Sequence, residues 1–249
     1  MIKIVLIGAG NLAFHFQKIF ATSAGVDLIQ WYSRSLEKIK PFESQIPITN
    51  RITDLRPADV YLIAVSDDAI AEISAKIKTR ALVVHCSGAV AVDQLLCNTK
   101  GVFYPLQSFS KEHPSNFGDL TILIEAENKN NLETLYKLSN AIGSKSLEMD
   151  SKNRAFVHLT AVILNNFGNH LFDIGQGIAK ANGIPFDIFH PLIELTYQKV
   201  KKVGAKNAQT GPAIRKDKET IKKHLDLITD QEIKKLYLLL TESIQRRHE

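Results

Sequence analysis

Two glycines and an alanine, at positions 8, 10 and 13, follow the apolar run that opens the chain. The run predicts a buried strand, and the residues after position 10 predict a helix. In this setting Gly-x-Gly-x-x-Ala is typical of a turn that holds the diphosphate of a dinucleotide. Gly8 allows the tight turn, Gly10 lets the diphosphate reach the backbone, and Ala13 keeps the helix close to the sheet. The amides of Asn11 and Leu12 would complete the anion site; a plain glycine turn is the alternative.

The second predicted strand ends in Ser33, Arg34 and Ser35, where the ribose of the adenosine would bind. An NAD site usually places an aspartate or glutamate there, and this segment has neither. Arg34 is suited to pairing with a 2′-phosphate, and the serines would not repel it. The pattern favours NADP over NAD, and a surface arginine without a ligand is the alternative.

A third apolar segment ends in Val65 and Ser66, followed by Asp67 and Asp68. We expect Val65 and Ser66 to contact ribose, since this loop meets the cofactor in such folds. One of the two aspartates is expected to cap the next helix.

Hydride chemistry on a nicotinamide needs a proton donor or acceptor at the carboxyl ends of the strands. His85 and Ser87 end one predicted strand, and Tyr104 and Gln107 follow the next. We expect these residues to line the crevice, with Ser87 in catalysis and with His85 and Gln107 in substrate binding.

A polar stripe is predicted on the long helix that follows residue 152. Steps of about 100° per residue place His158, Asn165 and Asn169 within about 20° of one line. We expect His158 to act as general acid, because histidine exchanges protons near neutral pH, with Asn165 in catalysis and Asn169 in substrate binding. Such a stripe must be satisfied by some partner. A core histidine, backbone neighbours or a dimer partner are the alternatives.

The segment Thr210-Gly211-Pro212 precedes Arg215 and Asp217. We expect it to close over the cleft, with Arg215 binding a carboxylate or phosphate of the substrate. The alternative is a rigid turn into a helix that Asp217 caps.

Strands alternating with helices are needed to position these residues. Apolar segments predict strands at Lys3–Ile7, Asp27–Tyr32, Asp59–Val65, Ala81–Cys86, Val102–Tyr104, Leu120–Ile124 and Ser146–Met149. Helices are predicted at Asn11–Thr22, Ser35–Phe42, Asp67–Lys78, Val92–Leu96 and Asn130–Ile142. Strands this apolar are typical of a parallel sheet covered on both faces. We therefore expect an α/β fold with a doubly wound, mostly parallel Rossmann sheet.

The pattern becomes helical after residue 150, with helices predicted at Asn153–Asn182, Phe186–Lys202, Lys216–Leu225 and Asp230–Arg246. We expect a dinucleotide-binding domain, 1–150, and an all-α domain, 151–249, for substrate binding and dimerisation. The apolar surface of these helices predicts a homodimer.

Charge and cysteine content narrow the class of protein. The net charge of +5 is spread along 249 residues, without the basic stripe that nucleic-acid binding needs. Two cysteines are too few for a disulfide scaffold, and we find no secretory signal, so a cytoplasmic protein is expected. No segment reaches the roughly 20 apolar residues of a membrane span. No histidine or cysteine spacing indicates a metal site.

The motifs together resemble a known family. The glycine turn and Ser33-Arg34-Ser35 resemble the NADP-binding domain of pyrroline-5-carboxylate reductases and deazaflavin-dependent NADP oxidoreductases. The rest of the chain is similar to a family of candidate NADP oxidoreductases with a Rossmann-like domain and a C-terminal helical domain of unknown function. That resemblance is carried by His85-Cys86-Ser87-Gly88-Ala89, Tyr104-Pro105-Leu106-Gln107-Ser108-Phe109-Ser110, Asn165-Asn166, Thr210-Gly211-Pro212-Ala213-Ile214-Arg215-Lys216-Asp217 and Thr220-Ile221-x-x-His224-Leu225. The family commonly has glycine where this chain has Lys216.

These observations predict an NADP(H)-dependent oxidoreductase that transfers a hydride to or from a small carbonyl, imine or hydroxy compound bound between the two domains. The alternative is a non-catalytic NADP(H) sensor. The sensor is favoured by the lack of a lysine on the predicted stripe, whereas His158, Ser87 and Asn165 favour the enzyme.

Overall fold

The computed structural model describes residues 1–113 and 115–248. The chain divides into two compact units, Met1–Asn166 and Phe167–Glu249, called here the N-terminal and the C-terminal unit. The expected domains, 1–150 and 151–249, stay a prediction.

The N-terminal unit is built on a sheet that has eight strands within the described residues. They are β1 (Ile2–Ile7), β2 (Val26–Tyr32), β3 (Ile48–Thr49), β4 (Val60–Ile63), β5 (Leu82–His85), β6 (Lys100–Pro105), β7 (Thr121–Ala126) and β8 (Lys145–Glu148). Their order is β3-β2-β1-β4-β5-β6-β7-β8, and every neighbouring pair is parallel except β6 and β7. The two-residue β3 was not predicted.

Side chains of successive strand residues alternate between two apolar layers. Ile4 and Leu6 of β1 belong to one layer, which also contains side chains of α1 (Asn11–Thr22) and α3 (Lys129–Ala141). Val5 belongs to the other layer, with side chains of α2 (Ile70–Lys76). A sheet covered on both faces explains the nearly uninterrupted apolar strands. The predicted doubly wound, mostly parallel Rossmann fold with a helical C-terminal region is confirmed.

Three predicted helices differ from the structure. The segment predicted as a helix at Ser35–Phe42 forms two 3₁₀ turns, Leu36–Lys38 and Lys40–Phe42, and a proline at position 41 interrupts it. The predicted helix at Val92–Leu96 is a single 3₁₀ turn, since so short a segment cannot repay the cost of α-helix nucleation. The helix predicted from residue 67 starts as a 3₁₀ turn and becomes α-helical only at α2.

The helix predicted for Asn153–Asn182 is helical over almost that whole range, but it is not one uniform α-helix. The structure has α4 (Ser151–Ala161), then a π-helix at Val162–Phe167, then α5 (Gly168–Ala181). A π-helix bonds residue i to i+5 and takes more residues per turn. The uniform 100° step used to predict the polar stripe therefore does not hold through Asn165, and the stripe stays a prediction.

The C-terminal unit contains α5, α6 (His190–Val203), α7 (Ala205–Ala208), α8 (Lys218–Leu227) and α9 (Gln231–Arg247). Large apolar side chains of this unit are exposed: Phe167, Leu171, Phe172, Ile178, Ile184, Ile188, Leu192, Leu195, Tyr197, Val200, Val203, Leu227, Leu238, Leu239 and Leu240. In the portion of the chain that the structure describes, no helix is long and apolar enough to cross a membrane.

Candidate functional site

Gly8, the residue after β1, has a backbone conformation that requires glycine. Its φ is +125°, and a Cβ there would lie 2.0 Å from the carbonyl oxygen of Ala64. The indole Nε1 of Trp31 donates a 2.6 Å hydrogen bond to the Gly8 carbonyl, and this bond holds the turn in place. The tight turn expected at Gly8 is therefore set by the fold itself.

Gly10 is a different case, because the protein does not require glycine there. Its φ of −81° suits any residue, and no atom of the described chain lies within 4 Å of the place where its Cβ would be. Gly10 is also the N-cap of α1, whose start no side chain of the described residues caps. An open, uncapped helix N-terminus with a missing side chain fits the approach of an anionic group.

The glycine turn opens into a cleft of about 540 Å³ along the carboxyl ends of the central strands. All nine residues predicted to bind the cofactor line it: Gly8, Gly10, Asn11, Leu12, Ser33, Arg34, Ser35, Val65 and Ser66. Three separate loops of the sequence thus contribute to one concave surface, large enough for part of a dinucleotide.

The end of the cleft next to β2 is basic. Arg34, Lys38 and Lys76 line it together with Glu72. Lys76 forms an ion pair with Glu72, and this bond, the Lys76 charge and the Arg34 charge lower the pKa of the Glu72 carboxyl. Lys38 was not predicted to line the cleft, although it lies four residues after Arg34. The Ser33 hydroxyl holds the turn by donating to the Ser35 carbonyl at 3.0 Å.

The loop after β4 brings Val65 and Ser66 to the cleft, together with Asp67. The predicted cap is wrong: Asp67 and Asp68 lie inside the 3₁₀ turn, and in the described chain no side chain caps that turn or α2. Asp67 is instead a negative charge on the cleft wall.

His85, predicted to bind substrate, is completely buried at the end of β5. Its Nδ1 accepts a 3.1 Å hydrogen bond from the Ser87 amide, and its Nε2 has no hydrogen-bond partner among the residues described. Burial, with the Arg154 charge second, lowers the pKa of His85 to about 4, and a weak backbone contact with Ala91 opposes this. His85 is therefore a neutral imidazole beneath the loop that carries Ser87.

Ser87 lines the cleft, as does Cys86 before it. The Ser87 hydroxyl accepts hydrogen bonds from the amides of Ala89 and Val90, at 3.1 and 3.0 Å. These bonds shape the loop 87–90. Burial raises the pKa of the Cys86 thiol, which excludes a resting thiolate at the cleft wall.

His158, the predicted general acid, lies half-buried on α4 next to the tip of Tyr104. The Tyr104 hydroxyl and His158 Nδ1 are 3.3 Å apart. Both groups lie over Gly88, where a Cβ would come within 2.7 Å of His158 Nδ1 and 2.7 Å of Tyr104 Cζ. The fold therefore places the Tyr104–His158 pair against Gly88, the residue that follows Ser87.

A largely buried ion pair, which was not predicted from the sequence, anchors α4. Arg154 is fully buried, forms an ion pair with Glu125 of β7, and donates a 2.6 Å hydrogen bond to the Val90 carbonyl. Ser151 donates to the same Glu125 carboxylate at 2.7 Å. Because His158 lies one turn after Arg154, this network fixes the imidazole against the loop. The only sequence signal was an arginine within an apolar helix.

Six predicted site residues are not among those that line the cleft: His85 and His158, described above, and Gln107, Asn165, Asn169 and Arg215. Gln107 is exposed after β6, and its Oε1 accepts from the Ser108 amide at 2.9 Å. Asn165 is exposed in the π-helix; Asn169 and Arg215 are exposed in the C-terminal unit.

The turn before α8 supports the alternative given above for residues 210–217, a turn into a helix that Asp217 caps. Asp217 is the N-cap of α8 and accepts from the Thr220 amide at 3.0 Å, which lowers the pKa of its carboxyl. Lys216 has a φ of +54°, a conformation that glycine adopts at less cost. This explains why the resembling family commonly has glycine there.

Over residues 1–113 and 115–248, no group of three His, Cys, Asp or Glu side chains is arranged to hold a metal ion.

Comparison with known proteins places this chain in a family. A family model described as "Domain of unknown function (DUF2520)" matches residues 120–244. A Bacteroides fragilis protein named as a candidate NADP oxidoreductase is 34% identical, with a TM-score of 0.89 and 98% of each chain covered. The chain belongs to the DUF2520 family. No curated protein sequence matches it.

Two more distant structures share the fold of this DUF2520 protein. A Plasmodium falciparum pyrroline carboxylate reductase with NADP bound is 15% identical, with a TM-score of 0.60 and coverage of 100% of this chain and 98% of that chain. A variant Myxococcus stipitatus imine reductase in complex with NAD⁺ is 16% identical, with a TM-score of 0.62 and coverage of 100% and 95%. The fold is thus one found in nicotinamide-dependent oxidoreductases.

Proposed function

We propose that this DUF2520 protein is an NADP(H)-dependent oxidoreductase that transfers a hydride to or from a small polar substrate. The observation that carries the proposal is the cleft of about 540 Å³, which all nine predicted cofactor residues line. Gly10 supports it independently, because its missing side chain faces open space and is explained by a ligand rather than by packing.

The basic end of the cleft supports NADP(H) over NAD(H). Arg34 and Lys38 are both exposed in the cleft, where a 2′-phosphate would form charge-assisted hydrogen bonds. A free adenosine ribose would instead favour a carboxylate at this position. The relatives include one structure named with NADP and one named with NAD⁺, so the preference depends on these side chains.

We propose that the chemistry takes place at the Ser87 end of the cleft. His158, Ser87 and Asn165 are proposed for catalysis, and of these three Ser87 lines the cleft. His85, Gln107, Asn169 and Arg215 stay proposals for substrate binding. His85 would act from beneath the loop, since it is completely buried. The substrate class is a small carbonyl, imine or hydroxy compound; its expected place, between the two predicted domains, stays a prediction, as does a cytoplasmic location.

A homodimer is part of the proposal. Phe172, Leu192 and Leu239, on three helices of the C-terminal unit, expose 48%, 60% and 62% of their surface, and large exposed apolar areas mark interaction sites. In a symmetric homodimer, a second copy of the chain would cover these exposed apolar side chains.

Titration with NADPH and NADH tests the cofactor. Arg34→Ala should weaken NADPH binding about tenfold or more, the worth of one charge-assisted contact, and leave NADH binding nearly unchanged. Lys40→Ala is the matched control, because Lys40 lies in the same segment and is not among the residues that line the cleft. Equal losses for both nucleotides would contradict the NADP(H) preference.

Turnover separates the enzyme from the sensor. NADPH consumption with any member of a panel of small ketones, aldehydes and cyclic imines would support the enzyme. Tight NADPH binding without turnover across the panel would favour the sensor. Failure of both nucleotides to bind at millimolar concentration would overturn both.

A further inference from the structure

Tyr104 has no role in the function proposed above, although its hydroxyl group lies next to His158, a residue proposed for catalysis. It leaves β6 half-buried, with its hydroxyl 3.3 Å from His158 Nδ1. The two rings meet nearly edge to face, at an interplanar angle of 73°. Gly88 lets both polar tips come close to the backbone next to Ser87, since any side chain there would collide with both.

The Tyr104 hydroxyl lies near the wall of the proposed cofactor cleft. Asp67 lines that cleft and acts electrostatically on Tyr104, as does buried Arg154. The loop over which the phenol lies is held by Ser87 and by the bond from Arg154 to the Val90 carbonyl. A polar hydroxyl in such a fixed setting is preorganised to exchange a proton.

Protonation of Tyr104 fits this role. Burial raises the pKa of the phenol; the Arg154 charge lowers it and the Asp67 charge raises it. The titratable and charged groups that bear on it are thus His158 and Arg154 on α4 and Asp67 after β4. The phenol is neutral at physiological pH and carries a proton to give.

We propose that Tyr104 is the proton donor of the oxidoreductase and that His158 is the positioning residue that resupplies it. The proposal rests on the proposed function and identifies the substrate class as compounds with a C=O or C=N bond at the Ser87 end of the cleft.

The proton path balances for reduction. When bound, the reduced nicotinamide would supply the hydride that the carbon of the C=O or C=N bond accepts. Tyr104 Oη–H donates its proton to the oxygen or nitrogen of that bond, and its O–H bond breaks. The phenolate oxygen then takes the proton from His158 Nδ1, and the half-buried imidazole takes one from water at Nε2. Oxidation of the corresponding alcohol or amine follows the same path in reverse.

A charge-sensing experiment tests this without a substrate. The protein is labelled with carbon-13 at tyrosine Cζ, and the resonance that disappears in Tyr104→Phe is assigned to Tyr104. The oxidised nicotinamide ring carries a positive charge that the reduced ring lacks. The Tyr104 phenol should therefore have an acid dissociation constant about tenfold or more higher with NADP⁺ than with NADPH. Tyr136→Phe is the matched control, because Tyr136 is not among the residues that line the cleft and its loss should leave the difference intact.

Turnover supplies the second readout. Tyr104→Phe keeps the ring and its packing, so NADPH affinity should be unchanged while turnover of any panel substrate falls by about 100-fold or more. His158→Gln should lower turnover less and leave the NADPH affinity intact. Identical titration of Tyr104 with both bound nucleotides would overturn the inference and leave the cofactor assignment standing. Failure of both nucleotides to bind would overturn the proposed function and this inference with it.

Discussion

The two units bury their apolar side chains to very different extents. In the N-terminal unit, Phe16, Trp31 and Phe103 are almost fully buried in the layers that cover the sheet. In the described residues of the C-terminal unit, only Ala179, Ala213 and Thr241 are buried. Burial of apolar surface is the main favourable term in folding. The N-terminal unit therefore has a large buried apolar core of its own, whereas the helices of the C-terminal unit leave most of their apolar surface exposed, which is the surface that the proposed homodimer would cover.

Paired truncations of phenylalanine would break or support this comparison most strongly. Phe103→Ala removes a fully buried ring and should lower the free energy of unfolding by about 3–5 kcal/mol. Phe172→Ala, at a side chain that is 48% exposed, should lower the free energy of unfolding of the N-terminal unit by less than about 0.5 kcal/mol. Denaturant titration followed by the fluorescence of Trp31, the one tryptophan, reports on that unit. Similar losses in both variants would refute the comparison.

The buried ion pair gives the next largest effect. Arg154→Leu leaves the Glu125 carboxylate, whose side chain is only 17% exposed, without its cationic partner and should cost about 3 kcal/mol of unfolding free energy. The double variant Arg154→Leu, Glu125→Leu should cost less, because neither charge then remains. A double variant as unstable as the single one would show that Arg154 acts through its bond to the Val90 carbonyl instead.

His85 makes the stability of the N-terminal unit dependent on pH. Its pKa is lowered from 6.5 to about 4 in the folded state, so between these values the unfolded chain binds a proton that the folded chain does not. Stability should therefore be full above pH 6.5 and fall by about 3 kcal/mol as the pH drops towards 4. Denaturant titrations of the wild type and His85→Gln, compared across that range, measure this. If His85 is not responsible, the free energy of unfolding should depend on pH in the same way in the wild type and in His85→Gln.

A charge on the exposed apolar surface has the smallest expected effect on folding. Leu239→Glu, at a side chain that is 62% exposed, should weaken self-association about tenfold to 100-fold with little change in Trp31-detected unfolding. Light scattering over a dilution series gives the dissociation constant. Lys235→Glu on the same helix is the control for charge, and a single monomeric mass for the wild type would contradict the homodimer.

The local parts of the site could be read from the sequence. The glycine turn, the Ser33–Ser35 segment and the Val65-Ser66 loop each combine a strand end with a short polar motif, and parallel strands bring such ends to one edge. The Arg154–Glu125 pair could not be predicted in this way, since 29 residues separate its members and only packing brings them together. Nor could the π-helix, because apolar periodicity does not distinguish it from an α-helix over six residues.

Gly10 has a practical consequence for studies in living cells. Gly8 cannot change without rebuilding the turn, but a methyl group at position 10 meets empty space and an ordinary backbone angle. A Gly10→Ala allele should therefore accumulate to normal levels while its product is deprived of nucleotide. Its phenotype, set beside that of a deletion strain, would separate what the cell loses with the activity from what it loses with the polypeptide.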